Sequence, residues 1–406
     1  MARRAHRVGA RRVPRLWRRG ARRAERGRGA VTAALERAYL ELLPSARQRA
    51  ESGQPVVGIV GRDVPAVLVS AAGAQPYRLG AGRQAAAPSA APSAAQSAAE
   101  ATAIMGGAVD RAALVLLAEI LSGSLDFLAG ILIAHDCEAS VRLHFALQEL
   151  YRRGSSTIPV HLVDQVHLDR PSTLRFNTHQ LEAMTDVLRS WTGSGITRDA
   201  LESAHAEHSM VRASLSDVQV ARRTRRMSGL SALHAYAVGV GSSPAAALAL
   251  LEGRERGADT ADALPVFLTG SAPIGDELYR AIEDAGAVVV GEDHDWGDPI
   301  LSDLLPERLP AELPDALREL ALSRLHGDPA SASSTMAARA AATRSGVEAT
   351  RARALLSIVR PHDEAPLWDW KRQRELAGVP HLEVRGEAAE DPSAVAAAIG
   401  ELRAAS

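Results

Sequence analysis

Pro55-Val56-Val57-Gly58-Ile59-Val60-Gly61, followed by Asp63 and the apolar run from Val64 to Val69, is the stretch on which the fold turns. A short β-branched run bounded by Pro and Gly suits a strand buried on both faces, as in a parallel sheet, and Asp63 then opens a helix. Outward from it the order repeats. A strand is expected at Gln75 to Leu79, a low-complexity linker over Ala85 to Ala98, a helix from about Asp110 to Ser122 and a strand at Gly130 to Ala134. Upstream, Leu35, Tyr39, Leu42 and Leu43 among charges predict an amphipathic helix between Val31 and Glu51. Alternation of this kind implies a parallel sheet with right-handed crossovers.

Residues 172 to 225 are polar and helical in pattern, without strand signals. A second alternation follows, with strands at Leu264 to Leu268, Ala287 to Val290, Ala354 to Val359 and His381 to Val384. Helices are expected at Gly275 to Ala285 and Trp368 to Ala377, and the Ala/Ser-rich segment 331 to 345 is read as helical or mobile. The resulting expectation is an α/β chain of two Rossmann- or flavodoxin-like domains with parallel sheets, joined by a long helical segment. Its parts are an Arg-rich tail over 1–30, an N-terminal α/β domain over 31–171, a helical connection over 172–260 and a C-terminal α/β domain over 261–406. A length of 406 residues exceeds one ordinary core and agrees with two.

With 46 % hydrophobic but only 3 % aromatic residues, the interior must be filled by Ala, Val and Leu. The formal charge of -1 hides an asymmetry, because residues 1–30 hold twelve Arg and the single acid Glu25, leaving 35 basic and 47 acidic side chains beyond them. That tail reads as a disordered extension or a misplaced start, and nucleic-acid binding through it is disfavoured. Cys137 is the only cysteine, so an intramolecular disulfide and a Cys-based zinc knuckle are excluded. With no long uncharged apolar stretch and no secretory signal, a cytoplasmic protein without a membrane span is expected. The dinucleotide fingerprint, the P-loop and the Gly-x-Ser-x-Gly elbow are absent.

Four segments together resemble the 2-hydroxyacyl-CoA dehydratase and benzoyl-CoA reductase subunit family. They are Val57-Gly58-Ile59 through Asp63-Val64-Pro65 to Ala71-Ala72-Gly73-Ala74-Gln75-Pro76; Leu128-Ala129-Gly130-Ile131-Leu132-Ile133-Ala134-His135-Asp136-Cys137-Glu138; Phe267-Leu268-Thr269-Gly270-Ser271 with Gly286-Ala287 and Gly291-Glu292-Asp293-His294-Asp295-Trp296-Gly297; and Pro361-His362-Asp363-Glu364 with Trp368-Asp369-Trp370 and Gly378-Val379-Pro380-His381-Leu382. The resemblance implies a lyase subunit that works with a homologous second subunit and an ATP-dependent activase. A [4Fe–4S] cluster passes one electron to an acyl-CoA thioester, which then expels water or is reduced further. It also implies three cluster cysteines, of which Cys137 matches one. Asp295 and Asp363 stand where the other two are expected.

Three readings of Cys137, Asp295 and Asp363 stay open: a decayed site, a cluster with mixed ligands or completed by a partner, and a mononuclear metal site that adds His294 and His362, with His135 nearby. Carboxylates are hard ligands, better suited to Mg, Mn or Fe(II) than to sulfide-bridged iron. Thr269-Gly270-Ser271, read as a turn between a strand and a helix, is a candidate anion or substrate site or else an ordinary capped turn. The two functional expectations are therefore a dehydratase-like enzyme subunit and a non-catalytic structural partner of a cysteine-bearing homologue.

Overall fold

The computed structural model describes residues 33–80, 92–252, 260, 262–302, 305–325, 328–330 and 333–406. The Arg-rich tail over 1–30 and the first half of the expected linker, 85–91, lie outside these residues. The first sheet consists of β1 (Val56–Val60), β2 (Gln75–Arg78), β3 (Gly130–Ala134) and β4 (Val160–Val163), in the order β2-β1-β3-β4, every pair parallel. The second consists of β5 (Leu264–Gly270), β6 (Ala287–Glu292), β7 (Ala354–Val359) and β8 (His381–Arg385), in the order β6-β5-β7-β8, again wholly parallel. The two-domain α/β expectation holds, and both halves follow one winding scheme.

Each sheet is covered on both faces, which is why β1, β3, β6 and β7 are buried along their length and apolar but for Ser357 in β7 and Glu292 at the end of β6. Leu116, Leu117 and Ile120 of helix Arg111–Leu121, with Leu143 and Leu147 of helix Glu138–Arg152, fill one side of the first sheet. The other side takes Val67 and Leu68, then Leu181, Met184 and Leu188 of the long helix Pro171–Thr192. It also receives Ala316, Leu317, Leu320 and Ala321 of helix Leu313–Leu325, so the chain returns to the first sheet between β6 and β7. The second sheet is packed by Ile282 and by Val395, Ile399 and Leu402 on one face, and by Val347 and Trp370 on the other.

Three helices, Arg198–Arg223, Gly229–Gly241 and Pro244–Glu252, join the halves. They are clamped to the second sheet by Arg222, whose side chain is wholly buried. It donates to Glu292 at the end of β6 and, at 2.5 Å, to Asp298. Tyr236 also donates to Asp298, at 2.7 Å, and Tyr279 to Glu292, at 3.0 Å.

Two expectations are corrected. The stretch Ala85 to Ala98 is not all linker, because its last residues belong to a helix, Pro92–Met105. Alanine is the best helix former and Pro92 sits at the first position, where proline is tolerated, so low complexity here masks high propensity. Val160–Val163 is a strand that the pattern did not announce, four residues long, partly exposed and interrupted by His161. The segment 331–345, read as helical or mobile, contributes to a helix, Met336–Thr350, as the first of those readings has it; Thr335 Oγ1 caps it by accepting from the Ala338 N–H.

Candidate functional site

A cavity of about 220 Å³ opens between the halves, lined by the carboxyl ends of β1, β2 and β3 on one side and β5, β6 and β7 on the other. In both sheets the chain reverses its direction of travel beside the first strand, between β1 and β3 and between β5 and β7. Such switch points leave a crevice outside the strand ends, the general place for ligands in open α/β sheets. Here the two crevices face each other. Two glycines permit the close approach: Gly61 at φ 84° and Gly270 at φ 105°, where a Cβ would meet the Asp136 carboxylate and the Ile358 carbonyl respectively.

The first wall carries Arg62, Asp63, Arg78, Asp110, Asp136 and Cys137. Cys137 is the N-cap residue of helix Glu138–Arg152, and its Sγ lies 3.2 Å from Ser140 Oγ, which donates to Asp136 Oδ1 at 2.7 Å. Although Cys137 presents surface to the cleft, the surrounding protein and then the Asp136 carboxylate push its thiol up to about 12. Burial, with Asp295 and Asp63 close by, raises the Asp136 carboxyl to about 6.

The second wall carries Thr269, Asp293, His294, Asp295, Arg360 and Asp363. Burial raises Asp293 to about 6 despite bonds from Thr343 and Thr269, Thr343 donating at 2.6 Å. His294 is 3 % exposed and burial lowers its pKa to about 3, so the ring is neutral. Its Nδ1 accepts the Trp296 N–H at 3.3 Å while Nε2 faces Tyr279 Oη at 3.1 Å, so both ring nitrogens have protein partners.

Asp363 accepts from Ser271 Oγ at 2.6 Å and lies 3.6 Å from Arg360. Arg360 in turn grips Asp110 of the opposite wall through Nε at 3.0 Å and Nη2 at 2.8 Å, a bidentate pair across the cleft. Burial disfavours the charge on Arg360, but Asp110 and then Asp363 outweigh it and raise its pKa. Asp295 faces Arg62 at 3.8 Å, and Arg62 also donates to Asp328 at 3.1 Å and to the Pro299 carbonyl at 2.8 Å. Arg78 lies over the Trp296 ring, 4.7 Å from its centroid.

Cys137, Asp295 and Asp363 thus line one cavity, as the strand-end reading required, and His294 lies behind Asp295 with its ring turned into the protein. His362 is exposed, with its backbone at φ 62°. Thr269 and Gly270 end β5 and line the cavity, but the next helix begins only at Glu277, so 269–271 are not its first turn. The Ser271 N–H pairs with the Ile358 carbonyl at 2.7 Å, and Thr269 Oγ1 accepts from Gln373 at 2.9 Å. The residues that sequence reasoning passed over are Arg62, Arg78, Asp110, Asp136, Asp293 and Arg360. Arg62, Asp136 and Arg360 directly follow or adjoin strands read from the sequence, which is the signal that could have marked them.

The sequence between residues 63 and 391 matches the family described as the 2-hydroxyglutaryl-CoA dehydratase D-component. The chain belongs to this family. No curated protein matches it.

The sequence resemblance implies cluster ligands at the strand-end positions of Cys137, Asp295 and Asp363, so the donor set there decides whether an iron–sulfur cluster fits. Clusters of the [4Fe–4S] type are held by thiolates. In this dehydratase-family cleft there is one sulfur, its thiol strongly biased toward the protonated form, and the two carboxylates that stand for the other ligands face Arg62 and Arg360. The residues present do not fit a cluster. Among the described residues, no three His, Cys, Asp or Glu side chains gather as a metal-holding group. No helix among them is long and apolar enough to cross a membrane.

Proposed function

We propose that this chain is the cluster-free subunit of a 2-hydroxyacyl-CoA dehydratase-like enzyme, the structural partner of a homologous subunit that bears the cysteines. The observation that supports this most is the closed set Ser271–Asp363–Arg360–Asp110. At the position where a thiolate is expected, a carboxylate is hydrogen-bonded and ion-paired into a contact that ties the two walls together. A carboxylate so occupied stabilises the cleft rather than offering itself to iron. On this reading, radical elimination of water from an acyl thioester or a related acid takes place with the partner's cluster, and an ATP-dependent activase serves the partner. This chain contributes a cleft of matching shape and an interface.

The test is iron and acid-labile sulfide content with the visible spectrum, on protein purified anaerobically alone and after coexpression with a cysteine-bearing homologue. The reading expects a colourless chain alone and a complex whose iron tracks the partner. About four irons and four sulfides on the isolated chain, the content of one [4Fe–4S] centre, would overturn it and make the chain a catalytic subunit with mixed ligands. Iron without sulfide would point instead to a mononuclear site.

A further inference from the structure

A cavity of about 550 Å³ lies apart from the cleft, at the opposite end of the first sheet. Gln75, the first residue of β2, borders it, whereas Arg78, the last residue of the same strand, lines the cleft. One wall is the helical stretch 33–51, interrupted only by a turn at Glu41, from which Arg37, Glu41, Ser45 and Gln48 recur at helical spacing. Across from it stand Ala246 and Leu250, one turn apart on helix Pro244–Glu252. The turn Gly241-Ser242-Ser243 closes the space between the two helices.

Two polar atoms of this lining are buried and have no partner. Gln75 is 3 % exposed, and its Nε2 donates to the Gly241 carbonyl at 3.2 Å while Oε1 accepts no bond. Ser243 directly precedes helix Pro244–Glu252, in the capping position, yet its Oγ is likewise buried and unbonded. An acceptor buried without a donor is unfavourable, so each of these groups calls for one. At the same helix start the first N–H groups lack carbonyls within the helix, and the helix dipole favours an anion there. Arg37 makes no side-chain hydrogen bond or ion pair among the described residues, whereas Arg49 donates to Gln54 at 3.1 Å. No aromatic side chain lines the cavity, so a flat ring would find nothing to stack on.

We propose that this cavity binds a phosphorylated polyol of sugar-phosphate size. The phosphate is held by the start of helix Pro244–Glu252 and by Arg37, and a hydroxyl of the body donates to Gln75 Oε1. Phosphate meets the open N–H groups and the guanidinium, and hydroxyls meet the empty acceptor, so both unmet demands of the lining are answered by one molecule. Pockets for small ligands run from about 300 to 1,000 Å³, which leaves room for a hexose phosphate. A four-residue strand spans roughly 10 Å, so the site is separate from the cleft and involves neither iron nor a second subunit.

The test is calorimetry and phosphorus NMR on the full chain at fixed ionic strength, with glucose phosphate, butyl phosphate and inorganic phosphate. Glucose phosphate is expected to bind about five-fold tighter than butyl phosphate, the difference that one hydroxyl bond to a buried acceptor makes. Arg37→Ser should weaken glucose phosphate about ten-fold, as loss of a charged donor does. Gln75→Met should bring glucose phosphate down to the level of butyl phosphate. If Gln75→Met fails to fold, Arg37→Ser, a change at an exposed position, decides alone. Absence of binding overturns the proposal, and so does inorganic phosphate binding as tightly as the sugar ester, which would mean an adventitious ion only. Binding that Arg37→Ser leaves unmoved also overturns it, by placing the ligand elsewhere on the chain.

Discussion

Replacing Arg222 by Met should destabilise the protein by about 3–5 kcal/mol, the usual result of removing one partner from a buried ion pair. The side chains of Arg222 and Glu292 are both fully inaccessible and that of Asp298 is 12 % exposed, so water cannot take over the guanidinium's role. Without Arg222, Glu292 keeps only two neutral donors, Tyr279 Oη at 3.0 Å and the Asp298 N–H at 2.9 Å. Hydrogen bonds to charged groups contribute about 1.5–3 kcal/mol each. The lost contacts to Glu292 and Asp298, offset by the methionine's apolar burial, therefore give the same range. A second variant, Arg222→Met with Glu292→Gln, removes the stranded charge and should recover about half the loss. Urea unfolding at pH 7.5 measures both, from the shift in midpoint at constant slope. A loss below about 1 kcal/mol for Arg222→Met, or a double variant no more stable than the single, would refute the view that this cluster clamps the helical connection to the second sheet.

Asp293→Asn tests a pH effect of known sign. Asp293 is held near 6 in the folded protein against an ordinary value of 3.8, so folding favours its protonated form and its contribution is lost as pH rises from about 4 through 6. The amide should therefore raise the melting temperature at pH 8 and leave it nearly unchanged at pH 3.5. A gain confined to low pH would reverse the assignment. Asp110 serves two structures at once, as N-cap acceptor for the Ala112 N–H at 3.1 Å and as the Arg360 partner across the cleft. Asp110→Asn keeps the cap and Asp110→Ala loses it, so the alanine variant should be less stable by about a further 1 kcal/mol in urea titration. Cys137, with its thiol raised to about 12, should react with iodoacetamide at pH 8 at least about ten-fold more slowly than a free thiol. Asp136→Asn should accelerate that reaction, and mass spectrometry of the modified chain reports both rates.

The fold was legible wherever a strand is buried on both faces. Gly130–Ala134 and Ala354–Val359 were read to the residue, because short, predominantly aliphatic runs bounded by polar turns have few other uses. The edge strand Val160–Val163 was not legible, since an exposed edge relaxes the apolar requirement and admits His161. In the site, Cys137, Asp295 and Asp363 were readable as strand-end residues. Their partners were not. Arg360 and Asp110 lie 250 positions apart, and Arg62 and Asp328 lie 266 apart. Such pairings depend on how the two sheets are set against each other, which no local pattern records. His294 shows the converse case. Its place beside Asp295 suggested a ligand, whereas the packing of Tyr279 and Trp296 around it leaves a neutral, fully bonded ring.

Helix Leu313–Leu325 comes late in the chain yet covers the first sheet, with Leu317 and Leu320 against the same cluster as Leu181 and Leu188. The two halves are accordingly not severable. A fragment ending at residue 260 would expose to water the part of its own sheet's underside that Ala316, Leu317, Leu320 and Ala321 cover, and its counterpart beginning at 261 would carry a helix whose apolar face has nothing to cover. Mixed together, the two pieces have reason to find each other, because each holds what the other lacks. Dissection of this protein by truncation would thus report on reassembly rather than on separate domains.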